Sequence, residues 1–290
     1  MIVTHKNWLA KGFTEKLTDR VVKQDFGFDI NPDTAWDTVW WAPGAWVASA
    51  YKAGVRLPLT SCGPRWLDSL SQTKYTGRTV STMTVRESID WFETIMGPGD
   101  EIEFFVKLPE AKLDDFPART HLVNRHWATT IGQYHLPDDA LIQLQGLVDF
   151  TTEWRFWVAD GRITAHSLYR AHRMGMEMIW GSEGFPGGLD GDLAFNTELN
   201  DAADLVEKLL DDPAVAKPRG FVLDVGTTPS GQAWVVEANA AWSSGPYDAS
   251  PQGVFESIVA SHDWANESLF HWDPNPALYT KAGALRVTHV

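Results

Sequence analysis

The chain has 290 residues and a formal net charge of −14, with 44% hydrophobic and 21% charged residues, ordinary globular values that allow one large core or two. An acidic balance of that size excludes a broad surface for nucleic acid or anionic membrane, because such binding rests on Lys and Arg neutralising phosphates. Cys62 is the only cysteine, which excludes an intrachain disulfide and a cysteine-based zinc site.

Nowhere do about 18 apolar residues run together, and the first residues lack the apolar core of a signal peptide, so the expected setting is cytoplasmic. The fifteen Trp residues decide nothing alone, since they serve equally as core filling or as stacking platforms for carbohydrate. Thr14 to Lys23 reads as a helix in a small or irregular N-terminal region. Thr84 and Glu87 form a capping box, and Ile89, Phe92, Ile95 and Met96 follow at helical spacing until Gly97-Pro98-Gly99 stops the helix.

Glu101 to Lys107 alternates as a strand. Its terminal lysine is either a solvated charge that deters edge pairing or a point charge aimed at a phosphate. Lys112, Arg119 and Arg125 fall on a loop-like stretch beyond it. Leu141 to Val148 reads as another strand, with Gln143 and Gln145 on one face. Glu153 to Val158 then pairs across Asp160-Gly161 with Arg162 to Arg170, a hairpin that puts Trp154, Phe156 and Val158 on one face and Glu153, Arg155 and Trp157 on the other. Arg155 and Arg170 either make ion pairs on a wet face or grip phosphate oxygens with their planar forks. Met174 to Asp192, with six glycines, reads as a long loop of the kind used as a lid. Leu199 to Leu210 is an amphipathic helix with Ala202, Leu205, Val206 and Leu209 inward.

Phe221 to Leu223 and Trp234 to Val236 are short β-rich runs around the turn formers of residues 226–231, a second hairpin. Glu237 and Asn239 share a face, and a suitable register brings Asp224 beside them. Two carboxylates and a carboxamide at one point suit Mg²⁺, which takes oxygen ligands and completes its shell with water and phosphate. The alternative is that the carboxylates face water and Asn239 starts a turn. Ser250-Pro251 opens a helix to about His262, and the stretch beyond Asn266 is uninformative. His121 and His126 lack the spacing of a zinc pair, and no glycine-loop phosphate cradle occurs.

The order of these pieces resembles the ATP-grasp superfamily, over roughly Thr84 to His262. It is similar in particular to ribosomal-protein glutamate ligases and to the divergent branch that includes a eukaryotic translation-initiation-factor assembly chaperone. The resemblance implies an α+β fold of two subdomains with mostly antiparallel sheets enclosing a nucleotide. Residues 1–80 are then an N-terminal subdomain, 81–265 the ATP-grasp domain and 266–290 a tail. It implies ATP and one or two Mg²⁺ ions, with Asp224, Glu237 and Asn239 as metal ligands. Lys107 is implied on the α/β-phosphates, Gln145, Gly146, Leu147 and Val148 on adenine, and Glu153 on the ribose. Arg155 and Arg170 are placed by the γ-phosphate and reacting carboxylate, and Arg173, Ser243, Ser244 and Gly245 by the substrate. The implied activity joins a carboxylate to an amine, of a small molecule, peptide or protein, through an acylphosphate. An ATP-dependent assembly clamp without ligation is the second reading, and a carbohydrate-binding protein the third.

Overall fold

Two antiparallel sheets carry most of the chain and face each other across the site. The computed structural model describes residues 2–4, 21–23, 29–71, 75–173, 176–179 and 192–288. The first part is built on Ile2–Thr4 (β1), Val21–Lys23 (β2), Asp29–Ile30 (β3), Pro32–Ala35 (α1), Val39–Trp41 (β4), Gly44–Lys52 (α2) and Trp66–Ser71 (α3). β1 pairs in parallel with both β2 and β4. Val21 to Lys23 is therefore a strand where the sequence pattern predicts the end of a helix, as its β-branched Val pair favours. The rest of that expected helix lies outside the described residues.

The first antiparallel sheet holds Val80–Thr84 (β5), Glu101–Lys107 (β6), Arg119–Asn124 (β7) and Leu141–Gln145 (β8), in the order β5-β8-β6-β7. Val85–Ile95 (α4) starts from the expected capping box: Glu87 N–H donates to Thr84 Oγ1 at 3.0 Å, and Thr84 N–H donates to the Glu87 carboxylate at 2.7 Å. Arg119 is on a strand rather than a loop, with its guanidinium 5.6 Å from the Tyr134 ring centroid. β8 ends at Gln145, short of Val148: Gly146 N–H donates to Thr79 at 3.0 Å, and the chain then leaves the sheet.

The second sheet holds Thr152–Ala159 (β9), Arg162–Arg173 (β10), Met176–Ile179 (β11), Gly220–Thr227 (β12) and Ala233–Asn239 (β13), in the order β11-β10-β9-β12-β13. Met176 to Ile179 corrects the expected long loop, because it pairs with Arg170 to Arg173. Residues 174–175 and 180–191 lie outside the described ones. Counting α5 as Trp127–Gly132, the next helix is Asp192–Asp211 (α6), which begins ahead of Leu199, and Pro251–Ala260 (α7) follows β13.

Alternation explains how the helices cover this sheet. Trp154, Phe156, Val158, Phe221 and Leu223 pack against Ala202, Val206 and Leu209 of α6. Trp157 and Val222, on the other face, pack against Val254 and Ile258 of α7. Gly253 lets α7 ride directly on β10, since a β-carbon there would meet the Thr164 carbonyl oxygen at 2.1 Å. Further along the face of Trp157 and Val222 stand Glu153, Arg155 and Asp224, so one surface is apolar at one end and ionic at the other.

The segment beyond Asn266 is packed, contrary to the reading of it as a tail. Trp272 N–H donates to Leu59 at 2.9 Å, and Asn275 donates to the Leu141 carbonyl at 2.8 Å while capping Pro276–Lys281 (α8). Arg286–Val287 (β14) pairs with β3. Among the described residues no helix is long and apolar enough to cross a membrane.

His262 joins this region to β4: its Nε2 accepts the Trp40 N–H at 2.9 Å, which leaves Nδ1 to donate to the Ile258 carbonyl at 2.8 Å. Burial pulls its pKa down to about 4. The unfolded chain binds the proton more readily, so this contribution is complete above the unfolded value near 6.5 and is lost as pH falls toward 4. The loss is roughly 3 kcal/mol across that window. Urea midpoints at pH 7 and pH 4.5 should show it, and His262→Gln should flatten the difference. An equal slope in the variant would exclude His262 as its source.

Candidate active site

Every residue of β9 and β12 is buried, so the charges they carry do not lie on a wet face. Arg155 and Asp224 are direct cross-strand partners. Arg155 Nε donates to Asp224 Oδ1 at 2.8 Å, its Nη2 to Oδ2 at 2.7 Å, and its Nη1 to the Gly245 carbonyl at 3.1 Å. Burial alone pulls the guanidinium down, but the Asp224 carboxylate outweighs it and holds the group above its usual range. Its carbon lies 5.3 and 5.1 Å from the ring centroids of Tyr169 and Tyr247. Tyr169 falls where the β9 and β10 register slips between Leu168 and Arg170, and Tyr247 has a left-handed backbone of φ 50°.

Asp224 also faces Glu237 directly, and Val222 faces Asn239. The amide Nδ2 of Asn239 donates to Asp224 Oδ2 at 3.0 Å and to Glu237 Oε1 at 2.9 Å, so one point in space sees both carboxylates. A half-turn of the amide would present Oδ1 to that point, turning a donor between two acceptors into a third oxygen ligand. Two carboxylates and an amide oxygen fit a hard divalent cation that keeps water and phosphate oxygens in its shell. No closed cage of three His, Cys, Asp or Glu gathers among the described residues, and a shell shared with water and phosphate requires none.

The opposite wall comes from the first sheet. Lys107, at the end of β6, pairs with the Glu237 carboxylate across the two sheets. Burial lowers its pKa to about 8, and neighbouring Lys112 adds to that. Lys112 is lowered in turn, by burial and then by Arg155, so the predicted loop lysine reaches the same site. Arg119 instead stays with Tyr134. Glu153 is buried at 5% exposure, its oxygens held by the Tyr169 hydroxyl and by Arg170 Nη1 at 2.6 Å.

Gln145 is turned away from any ligand. Its Oε1 accepts from Arg78 Nη2 at 2.7 Å and its Nε2 donates to Gln143 at 2.8 Å, which leaves the main chain of residues 146–148 as the exposed edge there. Ser244 is buried and donates to Ala240 at 2.8 Å, whereas Ser243 is exposed. Arg173 pairs with Met176 at the end of β10, away from the Asp224 register.

Sequence reading missed Arg78, Glu110, Tyr169 and Tyr247. Arg78 also donates to the Val235 and Val236 carbonyls, both at 2.8 Å, so it ties β8 to the strand that carries Glu237. Burial lowers its pKa to about 10. An isolated Arg after Thr76-Gly77 carries no periodic signal; the only sequence clue was the glycine, which takes φ 61° with the Trp234 ring against it.

Comparison with known proteins places these elements. A family model of the ATP-grasp domain, the second family of its clade, matches residues 75–257, from just before β5 into α7. No curated protein matches the chain in sequence. Among solved structures, N5-carboxyaminoimidazole synthetase from Staphylococcus aureus is 10% identical with a TM-score of 0.43, over 90% of this chain and 76% of that one. A RimK domain ATP-grasp protein from Sphaerobacter thermophilus is 15% identical with a TM-score of 0.44, over 90% and 96%. D-alanine–D-alanine ligase from Bacillus anthracis is 9% identical with a TM-score of 0.43, over 90% and 95%.

Proposed function

The chain belongs to the ATP-grasp superfamily, and from that premise we propose that it joins a carboxylate to an amine using ATP. The observation that carries the reading is the meeting, between two sheets, of Asp224, Glu237 and Asn239 with Lys107, Lys112 and Arg155. Acids and bases in such proximity are matched to a ligand that brings both a cation and phosphates.

In this reading Asp224, Glu237 and Asn239 hold Mg²⁺, which supplies charge compensation on the phosphates when bound. Lys107 leaves Glu237 for the α/β-phosphates, and the main chain of Gly146, Leu147 and Val148 forms the adenine edge beyond Gln145. Glu153 is the ribose-side carboxylate. Arg155 and Arg170 lie toward the γ-phosphate and the reacting carboxylate, with Arg173, Ser243, Ser244 and Gly245 lining the acceptor side. The carboxylate takes the γ-phosphoryl group to become an acylphosphate, an amine attacks its carbonyl carbon, and phosphate leaves. Fixed charges stabilise the transferring oxygens without reorganising, and a dry cleft spares the acylphosphate from water. Residues 1–80 and 266–290 flank this machinery in the proposal.

ADP release, measured with Mg²⁺ and pooled amino acids, peptides and amines, should rise well above the rate without an acceptor. MgATP should also raise the melting temperature, because a ligand that binds only the folded state stabilises it. Protection without acceptor-dependent turnover would point to an ATP-dependent clamp on a partner. No protection and no turnover would end the ATP-grasp enzyme reading of this chain.

A further inference from the structure

Amide formation leaves one proton needing a destination. At neutral pH a free amine is mostly an ammonium ion, which has no lone pair to attack a carbonyl carbon, so the site needs a group that binds the cation and removes a proton. Lys107, Lys112, Arg155 and Arg170 are cations, and Asp224 and Glu237 are assigned to the metal.

Glu110 is a carboxylate that this assignment leaves unused. It follows the end of β6 in a turn and holds a left-handed backbone of φ 52°, a conformation uncommon for a residue of its size and characteristic of sites where position matters. Its Oε1 accepts the Gly63 N–H at 3.0 Å, and the Ser61 hydroxyl donates to the same carboxylate. It lines one cleft together with Gly63, Pro64, Trp66, Lys107 and Glu237. The charged and titratable groups facing it are Lys107 on β6, Glu237 across the cleft and the Cys62 thiol.

We infer that Glu110 is the amine-side residue of this site: its carboxylate binds the substrate ammonium and takes one of its protons. The assignment rests on the ligase reading above. A proton passes from nitrogen to Glu110, and the freed electron pair forms the C–N bond at the acyl carbon of the acylphosphate. The C–O bond to phosphate breaks, its electron pair leaves with inorganic phosphate, and Glu110 returns the proton to water. Burial, opposed by the Ser61 and Gly63 hydrogen bonds, pushes the Glu110 pKa up to about 7, so the carboxylate is a stronger base than an exposed one yet still ionised in part at neutral pH. The competing role is a strap that pins residues 61–63 to the turn after β6. Glu110→Gln separates the two, because its amide oxygen still accepts from Gly63 while the charge is gone.

The test gives the full-length wild type and E110Q MgATP, a pool of amino acids and glutamate-ended peptides as carboxylates, and either hydroxylamine or glycinamide. Hydroxylamine is largely neutral at this pH and needs no base. E110Q should form hydroxamate within about threefold of the wild type, while its glycinamide-dependent ADP release falls about 100-fold, the scale of one general base. Glu110→Asp, which keeps a charge at shorter reach, should retain more glycinamide turnover than E110Q. Equal retention of both reactions in E110Q, equal loss of both, or an Asp variant worse than Gln overturns the assignment alone. A wild type that makes neither product overturns the ligase reading, and this assignment with it.

Discussion

Arg155→Met is expected to lower the stability of the chain by about 3–5 kcal/mol, the cost of leaving one member of a buried ion pair without its partner. Asp224 has 0% side-chain exposure and Arg155 6%, so water cannot replace the lost guanidinium. Both Asp224 oxygens lose a charged donor, the Gly245 carbonyl loses its Nη1 partner, and Tyr169 and Tyr247 lose the cation between them. The double variant Arg155→Met with Asp224→Asn should recover part of the loss, since it removes the uncompensated charge. Urea unfolding without nucleotide measures this directly. A single variant within about 1 kcal/mol of the wild type would mean that the pair is solvated and the buried site wrongly drawn.

Glu237→Gln is the second large expectation, on chemistry rather than stability. Mg²⁺-dependent ADP release should fall by roughly 100-fold or more, equivalent to about 3 kcal/mol of transition-state stabilisation. The thermal protection given by ATP should also lose its dependence on Mg²⁺, a readout that needs no turnover. The fold should survive, because Glu237 keeps 18% side-chain exposure and the amide can still accept from Lys107 and Asn239. Asp224→Asn, which on the sequence is an equivalent test, is not one: it strands a buried Arg155 and mixes a folding defect with a lost ligand. Turnover and Mg²⁺ dependence unchanged in Glu237→Gln would remove the metal assignment.

Local pattern made much of this site legible. The capping box at Thr84, the Asp160-Gly161 hairpin and the alternation that splits Trp154 and Phe156 from Arg155 and Trp157 all stand in the structure. So does the shared face of Glu237 and Asn239. Other features left no such trace. Tyr169 reaches Arg155 at a register slip that period-2 counting does not foresee, and Tyr247 and Glu110 are placed by left-handed backbones on residues that do not advertise them. Met176 to Ile179 was hidden among glycines, and residues 266–288 look featureless until Leu59, Leu141 and β3 supply their partners.

By itself, then, the sequence determined which residue types this protein places on each strand and helix, and so which faces are greasy and which are ionic. Those periods follow from backbone geometry between near neighbours and need no distant partner. Only the tertiary structure decided which charges meet. Arg155 pairs with Asp224 across 69 residues of chain, and Lys107 reaches Glu237 from another sheet. Register and sheet placement of that kind are set by the summed packing of many distant side chains, and no short stretch contains that sum.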